Sequence, residues 1–171
     1  MSREQIEQLR REKDSFFRAD PNSPLLPSQQ ETFTHLVYYD YTPDLDLTVT
    51  VQPFTTQNTV PVQTTTGDVR HYKRYGEFTF TVDGQEARLT VYATPHGFFL
   101  PFVDSGAGTE TYPAGRYLEP EFVAGDRLHV DFNQAYNPFC AYSEDFSCPI
   151  TPAENCLSVA IRAGEKIPAD H

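Results

Sequence analysis

The chain has no tryptophan, one methionine, three cysteines and only three lysines among its 171 residues. Each shortage removes a class of answer. Three cysteines, an odd number, do not make the disulfide framework of a small secreted domain. Their positions, Cys140, Cys148 and Cys156, also lack the close Cys/His pairs of a structural zinc site. No apolar run approaches the roughly 20 residues that a membrane-spanning helix needs. Residues 1–17 are rich in charge and hold no signal-peptide apolar core. The chain is therefore expected in the cytoplasm, with no membrane partner. Basic residues are scarce as well: 13 against 24 acidic, for a net charge of −11. A phosphate backbone needs a basic face. The densest basic stretch, Arg70-His71-Tyr72-Lys73-Arg74, is short, so no nucleic-acid partner is expected. Few lysines and many carboxylates suit a high-salt interior, where self-repulsion is screened. A GC-rich genome would bias the composition in the same way.

What is abundant points to β-structure. There are 13 Phe and 10 Tyr, with 14 Pro and nine Gly to supply turns. Aromatic and β-branched residues favour strands. A chain of this length buries roughly 70% of its unfolded surface, so a core needs no staples. One domain is expected over residues 1–171, with an N-terminal helical arm at 1–22 and a β-domain at 33–167. In the arm, Ser2 followed by Gln5 is a capping-box pattern, and residues 3–18 read as one helix with Ile6, Leu9, Phe16 and Phe17 near one stripe. The Pro21 and Pro24 stretch ends it.

From Phe33 the period changes to two. Phe33–Tyr39 is an aromatic-rich run, and Leu45, Leu47, Val49 and Val51 alternate with polar residues. The Thr-rich stretch 55–66 reads as a loop or a ragged edge strand. Phe78, Phe80 and Val82 run into Asp83-Gly84 and return through Leu89 and Val91, a strong hairpin signal. Further strands are read at 98–103, 116–118, 128–132 and finally 157–161. The expected fold is mainly β: an antiparallel β-barrel or closed β-sandwich with the N-terminal α-helix packed on it.

Residues 133–155 lack periodicity and carry Pro138, Pro149 and Pro152. A structured loop of this length is usually functional. Asp131 and Asn133 share a strand face by two-residue alternation. Tyr136, Asn137 and Tyr142 add amide and hydroxyl groups, and Glu154 lies where the loop rejoins the fold. Two readings are open: a polar pocket at the barrel mouth, or groups that satisfy the loop's own backbone. Arg116 shares a face with Leu118 and is expected to point inward, toward a carboxylate, with Asp131 or Glu154 the nominated partner. A free inward Arg would instead grip an anion with its planar fork. The turn Asp104–Thr109 is Gly-rich but lacks the Gly-Lys-Ser/Thr of a phosphate loop. His35, His71, His96, His129 and His171 show no ligand spacing, although a Cys–His site at His129 is conceivable. The cysteines read as buried small hydrophobes, and nothing cationic stands beside Cys140 to activate it.

The string Asp131-Phe132-Asn133-Gln134-Ala135-Tyr136-Asn137-Pro138-Phe139-Cys140-Ala141-Tyr142 is similar to the hallmark of a prokaryotic family, domain of unknown function 1684. Lys13–Phe17, Ser23-Pro24-Leu25, Arg74 with Gly76, Pro101–Asp104, Thr109–Leu118, Cys148-Pro149, Pro152–Asn155 and Ala163–Lys166 extend the resemblance over nearly the whole chain. None of the five histidines, nor Cys156, belongs to that pattern. The resemblance implies no reaction. It marks where the recognisable polar residues gather: the Gly-rich turn, Arg116 and the long loop.

These readings give a small-molecule-binding barrel as the leading function. A polar or anionic ligand would sit at the mouth, held by Arg74 and Arg116 and oriented by Tyr112, Asn133, Tyr136, Asn137, Tyr142 and Glu154. The alternative is a hydrolase or lyase with Asp104 or Asp131 as general base and a tyrosine as acid. A second alternative is an interaction module with no small ligand. No metal and no cofactor are expected.

Overall fold

The computed structural model describes residues 1–169. Helix α1 (Arg3–Ala19) opens with the capping box: Ser2 Oγ accepts from the Gln5 N–H at 3.2 Å, and Gln5 Oε1 accepts from the Ser2 N–H at 2.9 Å. Ile6 and Phe17 are eleven residues apart, about three turns, and so fall on one line of the helix. They are its buried residues, whereas Phe16 is half-buried and Leu9 is exposed. Phe17 meets Tyr142 edge-on at 4.9 Å between ring centroids and Phe139 at 6.0 Å. Burying such a ring contributes roughly 1.5–3 kcal/mol, so the arm is docked, as its two Phe residues suggest. A short helix not anticipated from the sequence, α2 (Pro27–Thr32), follows, with proline in its first turn, where a missing N–H costs nothing.

Among the described residues, nine strands form two antiparallel sheets. The smaller one orders β1 (Asp46–Thr50), β9 (Arg127–Asp131) and β8 (Glu121–Ala124). The larger orders β2 (Gln52–Pro53), β4 (Val69–Val82), β5 (Gln85–Thr94), β6 (Gly97–Phe102) and β7 (Arg116–Leu118), with β3 (Thr59–Gln63) also paired to β4. Both residues of the Asp83-Gly84 turn have positive φ, 49° and 77°, the geometry that matches strand twist in a two-residue hairpin. One hydrophobic cluster is shared between the sheets: Val49, Leu128 and Val130 from the smaller, and Phe78, Leu89, Leu100, Phe102 and Leu118 from the larger. Neither sheet closes on itself into a barrel.

Of the two readings of the Thr-rich stretch, the edge strand holds: β3 pairs with β4 from Thr59 to Gln63. Two other stretches differ from their strand-like pattern. Phe33–Tyr39 yields only an isolated bridge between Tyr38 and Glu165. Leu157–Ile161 is not a strand, although Val159 and Ile161 are buried as the alternation requires. Its backbone instead meets the chain after β6, where Leu157 N donates to Val103 O (2.7 Å) and Ser105 N to Val159 O (3.0 Å). The long segment after β9 is held by single 3-10 turns at Phe132–Gln134, Phe139–Ala141 and Ala153–Asn155.

Candidate functional site

Arg116 points inward from β7, as its shared face with Leu118 implies, and is 1% exposed. Its partner is Asp104, at 3.4 Å, rather than Asp131 or Glu154. The guanidinium also donates to three backbone carbonyls, of Ala163 (2.5 Å), Ile161 (2.8 Å) and Glu165 (3.0 Å). Asp104 accepts in turn from the Thr111 hydroxyl (2.6 Å) and the Ile161 N–H (2.8 Å). Burial lowers the Arg116 pKa, and Asp104 opposes that shift. The cluster fastens the Gly-rich turn to the C-terminal segment and leaves neither an anion grip nor a free base.

The other nominated residues are also engaged, at separate places. Arg74 and Glu154 form a two-pronged pair at 2.8 and 3.1 Å, and Glu154 accepts from the Tyr92 hydroxyl as well. Asn137 donates its N–H to Glu165 (2.6 Å) and its amide to Lys166 O (3.0 Å) and Tyr142 Oη (3.2 Å). Lys13 from α1 pairs with the same Glu165 at 2.5 Å. Gly164 stands beside this junction with φ +79°, where a Cβ would lie 2.6 Å from Ala135 O, so only glycine fits. Tyr112 lies 3.9 Å from Cys140 Sγ. Burial, with Cys148 adjoining, pushes the Cys140 thiol up to about 11, which favours the thiol over the thiolate at neutral pH. Cys148 is buried as expected, Cys140 is half-buried and Cys156 is exposed.

Two nominated residues, Asp131 and Tyr136, meet at a cleft of about 830 Å³. Its apolar lining includes Tyr72, Phe98, Phe99 and Leu118, and its polar lining includes Arg70, His96, Glu119, Glu121 and His129. Tyr72 and Phe99 lie 5.4 Å apart between ring centroids. Tyr136 donates its hydroxyl to Glu119, and its pKa is raised, chiefly by burial and then by that carboxylate. A smaller pocket of about 300 Å³ under α1 shares Tyr136 and includes Asn133. There Arg10 stacks 4.5 Å from the Tyr38 ring centroid, with its Nε and Nη2 making no hydrogen bond.

Beside the cleft, register brings together residues the sequence reading did not combine. Asp46 on β1 faces Asp131 on β9, and His129 precedes Asp131 by two residues on the same strand. One ligand atom from each of Asp46, His129 and Asp131 lies within 4.8 Å of the others. His129 Nε2 and Asp46 Oδ1 are 2.5 Å apart. Asn133 donates its N–H (3.0 Å) and its amide (2.9 Å) to Asp131 Oδ1, and clasps both backbone groups of Thr42. Burial would raise the Asp46 pKa, but bonds from the Met1 ammonium and His129 leave it lowered. The pattern His-x-Asp at the end of a strand was the available sequence signal. Its third member is 83 residues from His129 and appears only once β1 and β9 are paired. His171 lies outside the described residues.

Similarity to known proteins agrees with the architecture. A solution NMR structure of an uncharacterised protein of Haloarcula marismortui resembles this chain with a TM-score of 0.71 at 36% sequence identity, over 98% of this chain and 95% of that one. No curated protein matches the chain. Residues 31–166 match the family described as "Protein of unknown function (DUF1684)". With a match over most of its length, the chain belongs to the DUF1684 family of proteins of unknown function.

Proposed function

We propose that the protein binds a small polar molecule in the cleft to which both of its sheets contribute lining residues. The observation that carries this reading is the cleft itself, about 830 Å³, with aromatic rings and hydrogen-bonding groups in one lining. That volume lies in the range of ligand sites, as does the mixture of apolar wall and few polar groups. Tyr72, Phe98 and Phe99 supply flat apolar surface, while Glu119, Glu121 and Asp131 outnumber Arg70 as charged groups. The cations an anionic ligand would need, Arg74 and Arg116, are already paired. The ligand chemistry that fits is therefore a flat, partly apolar body carrying hydrogen-bond donors or positive charge. The pocket under α1, about 300 Å³, is at the lower limit of such sites.

The test is an amide NMR screen of the full chain against small aromatic fragments with and without an amino group. Shifts should concentrate at residues 94–99, 118–121 and 129–136, with amino-bearing fragments favoured. Tyr72→Ala should weaken the best of them at least tenfold. Shifts scattered over the surface, or a hit unaffected by Tyr72→Ala, would remove the cleft as the site.

A further inference from the structure

We propose that Asp46, His129 and Asp131 form a binding site for a first-row divalent metal ion at the wall of the cleft. The placement comes from paired strands rather than a mobile loop. Asp46 and Asp131 are register partners across β1 and β9, and His129 lies on the same face of β9 as Asp131 by the two-residue alternation. Their ligand atoms lie within 4.8 Å of one another. Asp131 is held for this purpose: Asn133 fixes Oδ1 through two hydrogen bonds, leaving Oδ2 toward the cluster. Metal-binding carboxylates and histidines are commonly oriented by such outer contacts.

The corner already holds one cation. The α-ammonium of Met1 lies 2.5 Å from Asp46 Oδ2 and 3.1 Å from Asp131 Oδ2. Two carboxylates this close, one with its side chain 1% exposed, need positive charge between them. The ammonium supplies one charge. A divalent ion displacing it would neutralise both carboxylates and take the His129 nitrogen as well. One imidazole with two carboxylates suits Mn²⁺, Fe²⁺, Co²⁺ or Zn²⁺ better than the all-oxygen preference of Ca²⁺ and Mg²⁺. Three protein ligands leave coordination positions open. His129 and Asp131 also line the cleft, so those positions adjoin it. The ion site stands whether or not the cleft takes an organic ligand.

The experiment titrates the full chain, stripped with a chelator, with Co²⁺ and Zn²⁺ by calorimetry, reading Co²⁺ also by its d–d absorption. One equivalent should bind with micromolar or tighter affinity, and the spectrum should report nitrogen and oxygen ligands. His129→Gln and Asp131→Asn should each weaken binding at least tenfold, and Asn133→Ala by about ten- to a hundredfold. His96→Gln, on the cleft but outside the cluster, should bind as the parent does. Should Asp131→Asn fail to fold, half-buried His129 carries the test. Absence of stoichiometric binding, or equal binding by His129→Gln, overturns the proposal. Metal binding is read without fragments and fragment binding without metal, so either idea can fail alone.

Discussion

Among the described residues three buried carboxylates face cations, Asp104, Asp131 and Glu165, and the first two differ in what is left over. Asp104 meets Arg116 in a cluster where the guanidinium also serves three backbone carbonyls and the carboxylate accepts from Thr111 and Ile161. Asp131 meets the Met1 ammonium beside a second carboxylate and an imidazole, at the edge of an 830 Å³ cleft. The first arrangement is closed: a ligand would have to break bonds between groups that are both buried, whereas at the second it would displace a partly exposed ammonium. The second concentrates negative charge next to open space. Polar density in a sequence therefore says less about function than whether the fold has already used those groups.

The sharpest way to break this comparison is to remove Arg116. Arg116→Met should lower stability in urea denaturation by about 3–5 kcal/mol, because Asp104 is left buried without its cation and three carbonyls lose donors. Metal affinity at Asp46, His129 and Asp131 should persist in the folded fraction. A loss below about 1 kcal/mol would mean the cluster is not closed in the sense argued, since breaking a buried pair normally costs several times more.

Next in size is the helical arm. Phe17→Ala should cost about 3 kcal/mol, the lower end for removing a buried ring, because Phe17 is fully enclosed against Tyr142 and Phe139. Leu9→Ala, on the exposed side, should cost roughly 0.5 kcal/mol or less. Equal effects in thermal unfolding would show that α1 does not dock through the line joining Ile6 and Phe17.

How far the sequence carried the reading follows from the range of each interaction. The Asp83-Gly84 hairpin and the capped helix were legible because their signals are local: positive φ in the turn, and a cap three residues from its partner. The inward Arg116 was legible from strand alternation alone. Its partner was not, because the loop-flanking acids looked better placed than Asp104, which opens the Gly-rich turn. Leu157–Ile161 shows the limit of period: alternation records which side chains are buried, and the backbone reached that burial without a ladder. The Asp46, His129 and Asp131 cluster depended on register between strands far apart in the chain, which periodicity does not encode.

The smallest expected effect concerns the other Arg–carboxylate pair, Arg74 with Glu154, whose side chains are 30% and 34% exposed. Burial alone would raise the Glu154 pKa, but hydrogen bonds from Arg74 and Tyr92 outweigh it and the net shift is downward. A carboxylate lowered in the folded state stabilises the fold fully above its unfolded pKa, about 4.3 for Glu. That contribution drains as pH falls through the lower folded value. The gap between the parent and Glu154→Gln should therefore be constant near neutrality and shrink below about pH 4. Its size should be about 1 kcal/mol or less, since solvent screens a pair this exposed, and added salt should reduce it further. Gln keeps an acceptor for the Tyr92 hydroxyl, so the variant isolates the charge. Urea denaturation at neutral and acid pH, in low and high salt, measures both dependences. A gap of several kcal/mol, insensitive to salt, would place this pair beside Arg116 and Asp104 and erase the distinction between enclosed and solvated ion pairs.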